Sequence, residues 1–246
     1  MKIVSLVPSI TEALFDLGLT ENDVVGRTKF CIHPQDKIKN VAVIGGTKNI
    51  NIEKIKALQP DLILANKEEN VKEQVEALMD DYKVMVTNID TIEDNYYLLK
   101  NLGKLFGKED RAQLFNLKIY DILNQAKLDV PVKAAYLIWN NPYMTIGSDT
   151  FIHRILSEIG FENIFKNKTR YPQITTEDLA DADVIMLSSE PFPFKEKHIE
   201  ELQAFYPDKK IMIVDGEAFS WYGTHIAKCE HYFKELLTEI HSMQQS

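Results

Sequence analysis

Short apolar runs and amphipathic stretches alternate along most of the chain. The run "KIVSLV" near the start predicts a buried strand, and the spacing from Thr11 to Gly18 predicts a helix ended by its glycine. "DVVGR" and "LILA" predict two more strands, the second preceded by a helix over 53–58. A helix near 70–81 leads into a further strand, "KVMVTN". Such alternation indicates βαβ units around a parallel sheet. From Thr91 to Lys127 the pattern changes. Apolar residues recur there at helical spacing with no strand-like run, which predicts a long helix, bent or interrupted near Gly107. After Pro131 the alternation resumes. Strands are expected at "KAAYLIW", "YMTIG", "DVIMLS" and "KIMIVD", a helix at "TFIHRILSEIG", and a closing helix from His225 to Ile240. The organisation expected is α/β: an N-terminal lobe over 1–90, a linking helix over 91–128 and a C-terminal lobe over 129–246.

One unit occurs twice. "NIEKIKALQPDLILA" fills residues 51–65, and a looser copy, "ITTEDLADADVIMLS", fills 174–188. In each, a polar residue precedes a glutamate, a short helical stretch, an aspartate and an apolar run. Asn51 and Thr175 are the expected helix N-caps, which sets Glu53 and Glu177 in first turns, where the helix dipole favours negative charge. For one glutamate that local role is a sufficient account. Two in matching places, one per lobe, fit an exposed acidic pair that docks on a two-fold partner with basic pockets. Acid–base catalysis would need the two groups close together.

In parallel α/β sheets ligands sit beyond the carboxyl ends of the strands. Pro8 and Ser9 follow the first strand, "RTKFCIHP" follows "DVVG", and "NNPY" follows "LIW". "SSEPFPF" and "GEAFSWYG" follow the late strands. These segments carry both tryptophans, Trp139 and Trp221, together with Phe30, Tyr143, Phe192 and Tyr222. As a group they predict a cleft for a large ligand with flat faces, although any one of them alone would equally serve to cap the core.

Composition narrows the classes. The formal net charge of −9 argues against a nucleic-acid partner and suits a protein whose acidic surface meets a basic one. No run of about 18 apolar residues is present to span a membrane. The start has only five apolar residues before Pro8, too few for a signal-peptide core. The expected location is the cell envelope if a leader has been removed, and the cytoplasm otherwise. Cys31 and Cys229 form no CxxC and are read as free thiols. Cys31 and His33 stand two apart, so in an extended segment they would share a face. Thiolate and imidazole suit Zn, Co, Cu or Fe. The pair either touches a ligand's metal, binds a metal itself, or is a buried thiol beside a surface histidine. His153 and His198 have no third ligand at a recognisable spacing and are read as structural or solvated.

The series "IVSLVPSITEALFDLG", "GGTKNINIEKIKALQPDLILA", the long helix, "GFENIF", "YPQITTEDL" and a late "SWYG" resembles the class III periplasmic substrate-binding proteins. These serve ABC importers of vitamin B12 and iron–siderophore complexes, and the B12-binding members are the nearest in pattern. The resemblance covers nearly the whole chain. It implies two Rossmann-like lobes with parallel sheets, joined by one long rigid helix, with the ligand in a cleft between the lobes. The ligand implied is a cobalamin-like corrinoid or another metal chelate such as haem or an iron–siderophore, carried as cargo with no cofactor required. The implied partner is an ABC permease dimer, met through Glu53 and Glu177. Pro8, Ser9, Phe30, Cys31, His33, Trp139, Tyr143, Glu190, Phe192, Trp221, Tyr222 and His225 are the candidate ligand contacts. Relatives often carry an arginine in the late loop, where this chain has His225. That residue fits a neutral macrocycle or a metal-bearing ligand better than a siderophore carboxylate.

Two rivals differ in class. A chelatase-like enzyme would use His33, Glu190 and His225, although the chain holds no GxSxG, HExxH, GxxxxGK[ST] or GxGxxG. A cytoplasmic corrinoid or metal carrier would keep the fold without a transporter.

Overall fold

The computed structural model describes residues 1–244. Its first apolar run forms strand β1 (Ile3–Ser5), and the proline after it opens helix α1 (Pro8–Asp16). Proline suits that place because its fixed φ is already helical and its missing N–H would have no intrahelical partner. Strands β2 (Val24–Arg27) and β3 (Ala42–Val43) follow, then helix α2 (Ile52–Leu58) and strand β4 (Leu62–Asn66). Helix α3 (Lys72–Met79) and strand β5 (Val84–Thr87) complete the set. The strands pair in parallel in the order β3-β2-β1-β4-β5. Strand order reverses between β1 and β4, whose residues are all buried. This is the doubly wound arrangement that the alternating pattern predicted.

The segment expected as one linking helix consists of two, α4 (Ile92–Phe106) and α5 (Glu109–Gln125). The interruption lies where the glycine signalled it. Gly107 has φ +64°, a conformation that L side chains rarely adopt, and it ends α4. Gly103 serves by lacking a Cβ, which would stand 2.7 Å from that of Ala112 on α5.

The second sheet begins with β6 (Val132–Trp139), an eight-residue strand, followed by β7 (Tyr143–Thr145) and helix α6 (Phe151–Glu158). Strands β8 (Phe161–Asn163), β9 (Gln173–Ile174) and β10 (Val184–Ser188) come next, with helix α7 (Glu196–Gln203) and strand β11 (Lys210–Val214). The chain ends in helices α8 (Gly216–Ser220) and α9 (Glu230–Gln244). A wholly parallel sheet was expected, and here the structure differs. Strands β11, β10 and β6 are parallel, as is β8 against the start of β6, whereas β7 runs antiparallel to both β6 and β9. The reason is local. Only Asn140, Asn141 and Pro142 separate β6 from β7, too short a connection for the crossover that a parallel pair requires. Helix α7 has no counterpart in the expected elements, because the polar run "EKHIEELQ" places few apolar residues on its buried stripe.

The chain divides into two compact units, and the cuts differ from the expected lobe boundaries. The first unit holds Met1–Ile89, Glu93–Leu117 and the five-residue segment Trp221–His225. The second holds Asp90–Ile92, Lys118–Ser220 and the chain from Ile226 onward. A cut therefore falls within α5, and the late "WYGTH" stretch belongs with the N-terminal sheet. In the second unit, Leu137, Ile185, Leu187, Leu179 and Leu202 are among the buried core residues. Each such side chain contributes about 1.5–3 kcal/mol relative to exposure.

Candidate functional site

In the first unit the candidate residues gather around the segment Trp221–His225. Three polar contacts seat it. Asn95 of α4 exchanges hydrogen bonds with the backbone of Gly223, its Oδ1 accepting the N–H and its Nδ2 donating to the carbonyl. The Thr224 hydroxyl donates to Asp16 Oδ2 at 2.5 Å. The His225 ring donates through Nδ1 to Glu12 Oε2 at 2.8 Å, the carboxylate being able only to accept. Glu12 is 2% exposed, so its charge depends on such partners. Tyr222 is buried in the same unit, and burial pushes its phenol up against the opposing pull of the Ser9 and Thr87 hydroxyls.

His33, from the loop after β2, completes a ring cluster. Its ring lies 5.4 Å from that of Trp221 in an edge-on arrangement and 6.0 Å from that of His225. Trp221 and His225 are 5.3 Å apart. Phe30, on the same loop, is half exposed, with the Lys29 ammonium 4.9 Å from its ring centre. Cys31 does not share a face with His33. Its backbone N–H closes a turn onto the Thr28 carbonyl, and its thiol is wholly buried at 3.1 Å from the Thr11 hydroxyl and 3.2 Å from that of Thr28. Burial pushes this thiol up, which keeps it protonated and makes it a poor metal ligand. Among the described residues no group of three or more His, Cys, Asp and Glu is arranged to hold a metal ion.

The second unit presents its own aromatic face at the carboxyl ends of β6 and β10. Trp139, 40% exposed, ends β6, and Phe192 follows β10. Their rings stack edge to face at 5.7 Å. Tyr143, which opens β7, packs half-buried on the same core as Phe192, and burial pushes its phenol up. Glu190 follows β10, its Oε1 accepting from the Ser220 hydroxyl at 2.7 Å.

The two glutamates are both exposed, on dissimilar scaffolds. Glu53 sits in the first turn of α2, whose N-cap Asn51 accepts from the Lys54 N–H at 2.9 Å, as expected. Glu177 opens a single three-residue 3-10 turn, and Thr175 caps no helix. The Thr175 backbone N–H instead donates to Asp178 Oδ2 at 2.8 Å. The Thr175 hydroxyl, which also lies 3.3 Å from Asp178 Oδ2, and then the backbone N–H of Glu177 hold the Glu177 carboxyl below the usual carboxylate range.

The structure thus brings His33, Trp221 and His225 together in one cluster, and Trp139, Tyr143 and Phe192 in another. Pro8 is half-buried in the first turn of α1, while Ser9, Cys31 and Tyr222 lie in the interior. Sequence reasoning missed Glu12, Asp16 and Asn95. The signal for the first two was present: carboxylates four residues apart inside the apolar helix "SITEALFDLG" require partners. His153 and His198, read as structural or solvated, are both buried, at 9% and 3% exposure. His153 Nδ1 lies 3.3 Å from Asn163 Nδ2, and burial lowers its pKa.

The family model described as periplasmic binding protein matches residues 3–205. A vitamin B12-binding protein of Salmonella typhimurium strain LT2 is 30% identical over 186 residues, covering 72% of this chain and 68% of that protein. The ABC transporter substrate-binding lipoprotein YvrC of Bacillus subtilis is 30% identical over 189 residues, 72% of this chain and 59% of that protein. The chain thus spans under two thirds of the latter. Among solved structures, the periplasmic vitamin B12 binding protein BtuF of Vibrio cholerae superposes with a TM-score of 0.82 at 19% identity, over 100% of this chain and 98% of that one. At that identity the likeness speaks to the fold.

Proposed function

Because the chain belongs to the periplasmic binding protein family, we propose that it is the substrate-binding component of an ABC importer. Its cargo is a flat, metal-bearing macrocycle or chelate: a corrinoid before haem or an iron–siderophore. The observation that carries this reading is the edge-to-face pair of Trp139 and Phe192 at the carboxyl ends of β6 and β10. Stiff aromatic surfaces cover a wide apolar ligand with little loss of side-chain freedom. Within the first unit, the ring cluster offers a half-buried His33, with Trp221 and His225 buried at 8% and 9% exposure. A partly polar cluster suits a ligand whose rim carries amides. Similarity to a vitamin B12-binding protein and to an ABC transporter lipoprotein supports the same class.

The family is one of binding proteins, so capture and delivery displace the chelatase reading, and the cargo leaves chemically unchanged. Delivery runs through Glu53 and Glu177, exposed carboxylates that dock on basic pockets of the permease. Action is then at the cell envelope.

Titration of the apoprotein with cyanocobalamin, haemin and a ferric siderophore, followed by tryptophan fluorescence, tests the ligand class. Saturable one-to-one binding of one of them is expected, and Trp139→Ala should weaken it roughly tenfold or more. Unaltered affinity in that variant, or turnover of the probe, would overturn the reading. Charge reversal of Glu53 and Glu177 should leave binding intact and abolish stimulation of the importer's ATPase.

A further inference from the structure

The loop that carries Phe192 is fastened at its near end, where the Ser189 N–H donates to the Val214 carbonyl at 2.9 Å and Glu190 Oε1 accepts from the Ser220 hydroxyl at 2.7 Å. It reads "SEPFPFK", and its prolines at 191 and 193 lack the N–H through which a loop is usually fastened. Its hydrogen bonds include those from Phe192 N–H to the Ile138 carbonyl at 3.4 Å and from Phe194 N–H to the Phe192 carbonyl at 2.9 Å. The far end is fastened differently. The Lys195 N–H donates to His198 Nδ1 at 2.8 Å, which binds the loop's last residue to the first turn of α7. The same imidazole, buried to 3% exposure, packs edge-on against Phe192 at 5.4 Å and Phe194 at 5.3 Å. Phe192 and Phe194 are themselves 4.8 Å apart. One side chain therefore both ties the backbone beyond Phe192 and supports its ring from behind.

We infer that His198 is a positioning residue of the ligand face, fixing the Phe192 ring and through it the edge-to-face pair with Trp139. This rests on the reading of that face as the ligand surface. It gives a role in recognition to a histidine that otherwise reads as core. Nδ1 must be the accepting nitrogen, so the ring proton lies on Nε2 and the tautomer is set by the backbone.

Two variants separate the two tasks. His198→Asn keeps an acceptor near the Nδ1 place and removes the ring, whereas His198→Phe keeps a ring and removes the acceptor. Affinity for cyanocobalamin or haemin should fall about fivefold in His198→Phe, the scale of one lost hydrogen bond. His198→Asn should recover part of that loss. In a Phe192→Ala background His198→Phe should cost nothing further, because the residue acts through Phe192. Equal losses with and without Phe192 would mean a general stabilising role and overturn the inference, as would wild-type affinity in His198→Phe. If none of cyanocobalamin, haemin and the ferric siderophore binds the wild type, the ligand class fails, and the near-UV circular dichroism of the apoprotein still decides on His198. His198→Phe should weaken the tryptophan band as Phe192→Ala does, and an unchanged band would refute the positioning role.

Discussion

Glu53 and Glu177 occupy matching places in two copies of one sequence unit, and the backbone beneath them is built in two different ways. In the first copy a seven-residue α-helix, capped by its own Asn51, presents the carboxylate. In the second, one 3-10 turn does so, held from elsewhere. The Tyr206 hydroxyl donates to the Thr176 carbonyl at 2.6 Å, and the Lys209 ammonium donates to the carbonyls of Ala180 and Ala182 at 2.7 and 2.5 Å. Both copies then run into a five-residue strand that is buried throughout. Spacing explains the difference. Glu53 precedes its strand's first residue, Leu62, by nine positions, whereas Glu177 precedes Val184 by seven. The shorter copy has no room for two helical turns, and Asp178 accepts the Thr175 N–H as the third residue of a capping box does, with only a 3-10 turn following. A local helix and a braced turn thus reach the same end.

The largest test removes the apolar anchor of each copy. Ile55 and Leu179 are both fully buried, and Ile55→Ala and Leu179→Ala should each cost about 2–5 kcal/mol in thermal or denaturant unfolding. The consequence for the glutamate should differ. Residues 52–58 keep their own helical hydrogen bonds, but residues 176–180 lose the only buried side chain of their turn. Amide hydrogen exchange should therefore accelerate more around Glu177 in Leu179→Ala than around Glu53 in Ile55→Ala. Equal acceleration would dissolve the contrast.

Next in size is a pair of single hydrogen bonds. Asn51→Ala removes a cap and Tyr206→Phe removes a long-range brace, and each should cost about 1 kcal/mol. The former should loosen the Glu53 helix without affecting the second unit. The latter should loosen the Glu177 turn from a residue thirty positions away. A neutral Tyr206→Phe would show that Lys209 alone suffices.

The same contrast marks what was legible in the sequence. Strands β1, β4, β6 and β10 were plain because apolar runs flanked by polar residues dictate burial, and Asn51 was readable because a cap acts within three residues. Aromatic residues following strands were also readable, hence Trp139, Phe192 and Trp221. What escaped depends on contacts between distant residues. Thr175 carries the right side chain for a cap, but its role was set by Asp178 and by Tyr206, which no local spacing reports. Likewise Glu12 and His225 are 213 positions apart, and nothing local in either says that they meet. Helix α7 was missed because only Leu202 and His198 of its eight residues are buried, a stripe too thin to produce a periodic signal.

The smallest expected effect concerns the acid itself. The Thr175 hydroxyl is the leading reason that the Glu177 carboxyl titrates below its ordinary range. Thr175→Val removes the donor and keeps the shape, so the Glu177 titration followed by carboxyl NMR should move upward toward the ordinary value. The sign for stability follows from linkage: a carboxyl depressed in the folded state contributes stability that is fully present above its unfolded pKa and lost as pH falls through the folded pKa. Wild type and Thr175→Val should therefore differ slightly in stability at neutral pH and converge in acid. The gap should be slight because Glu177 is exposed and solvent screens its contacts. A Glu177 midpoint unmoved by Thr175→Val would mean that the Glu177 backbone N–H and the Thr176 hydroxyl hold the charge without it.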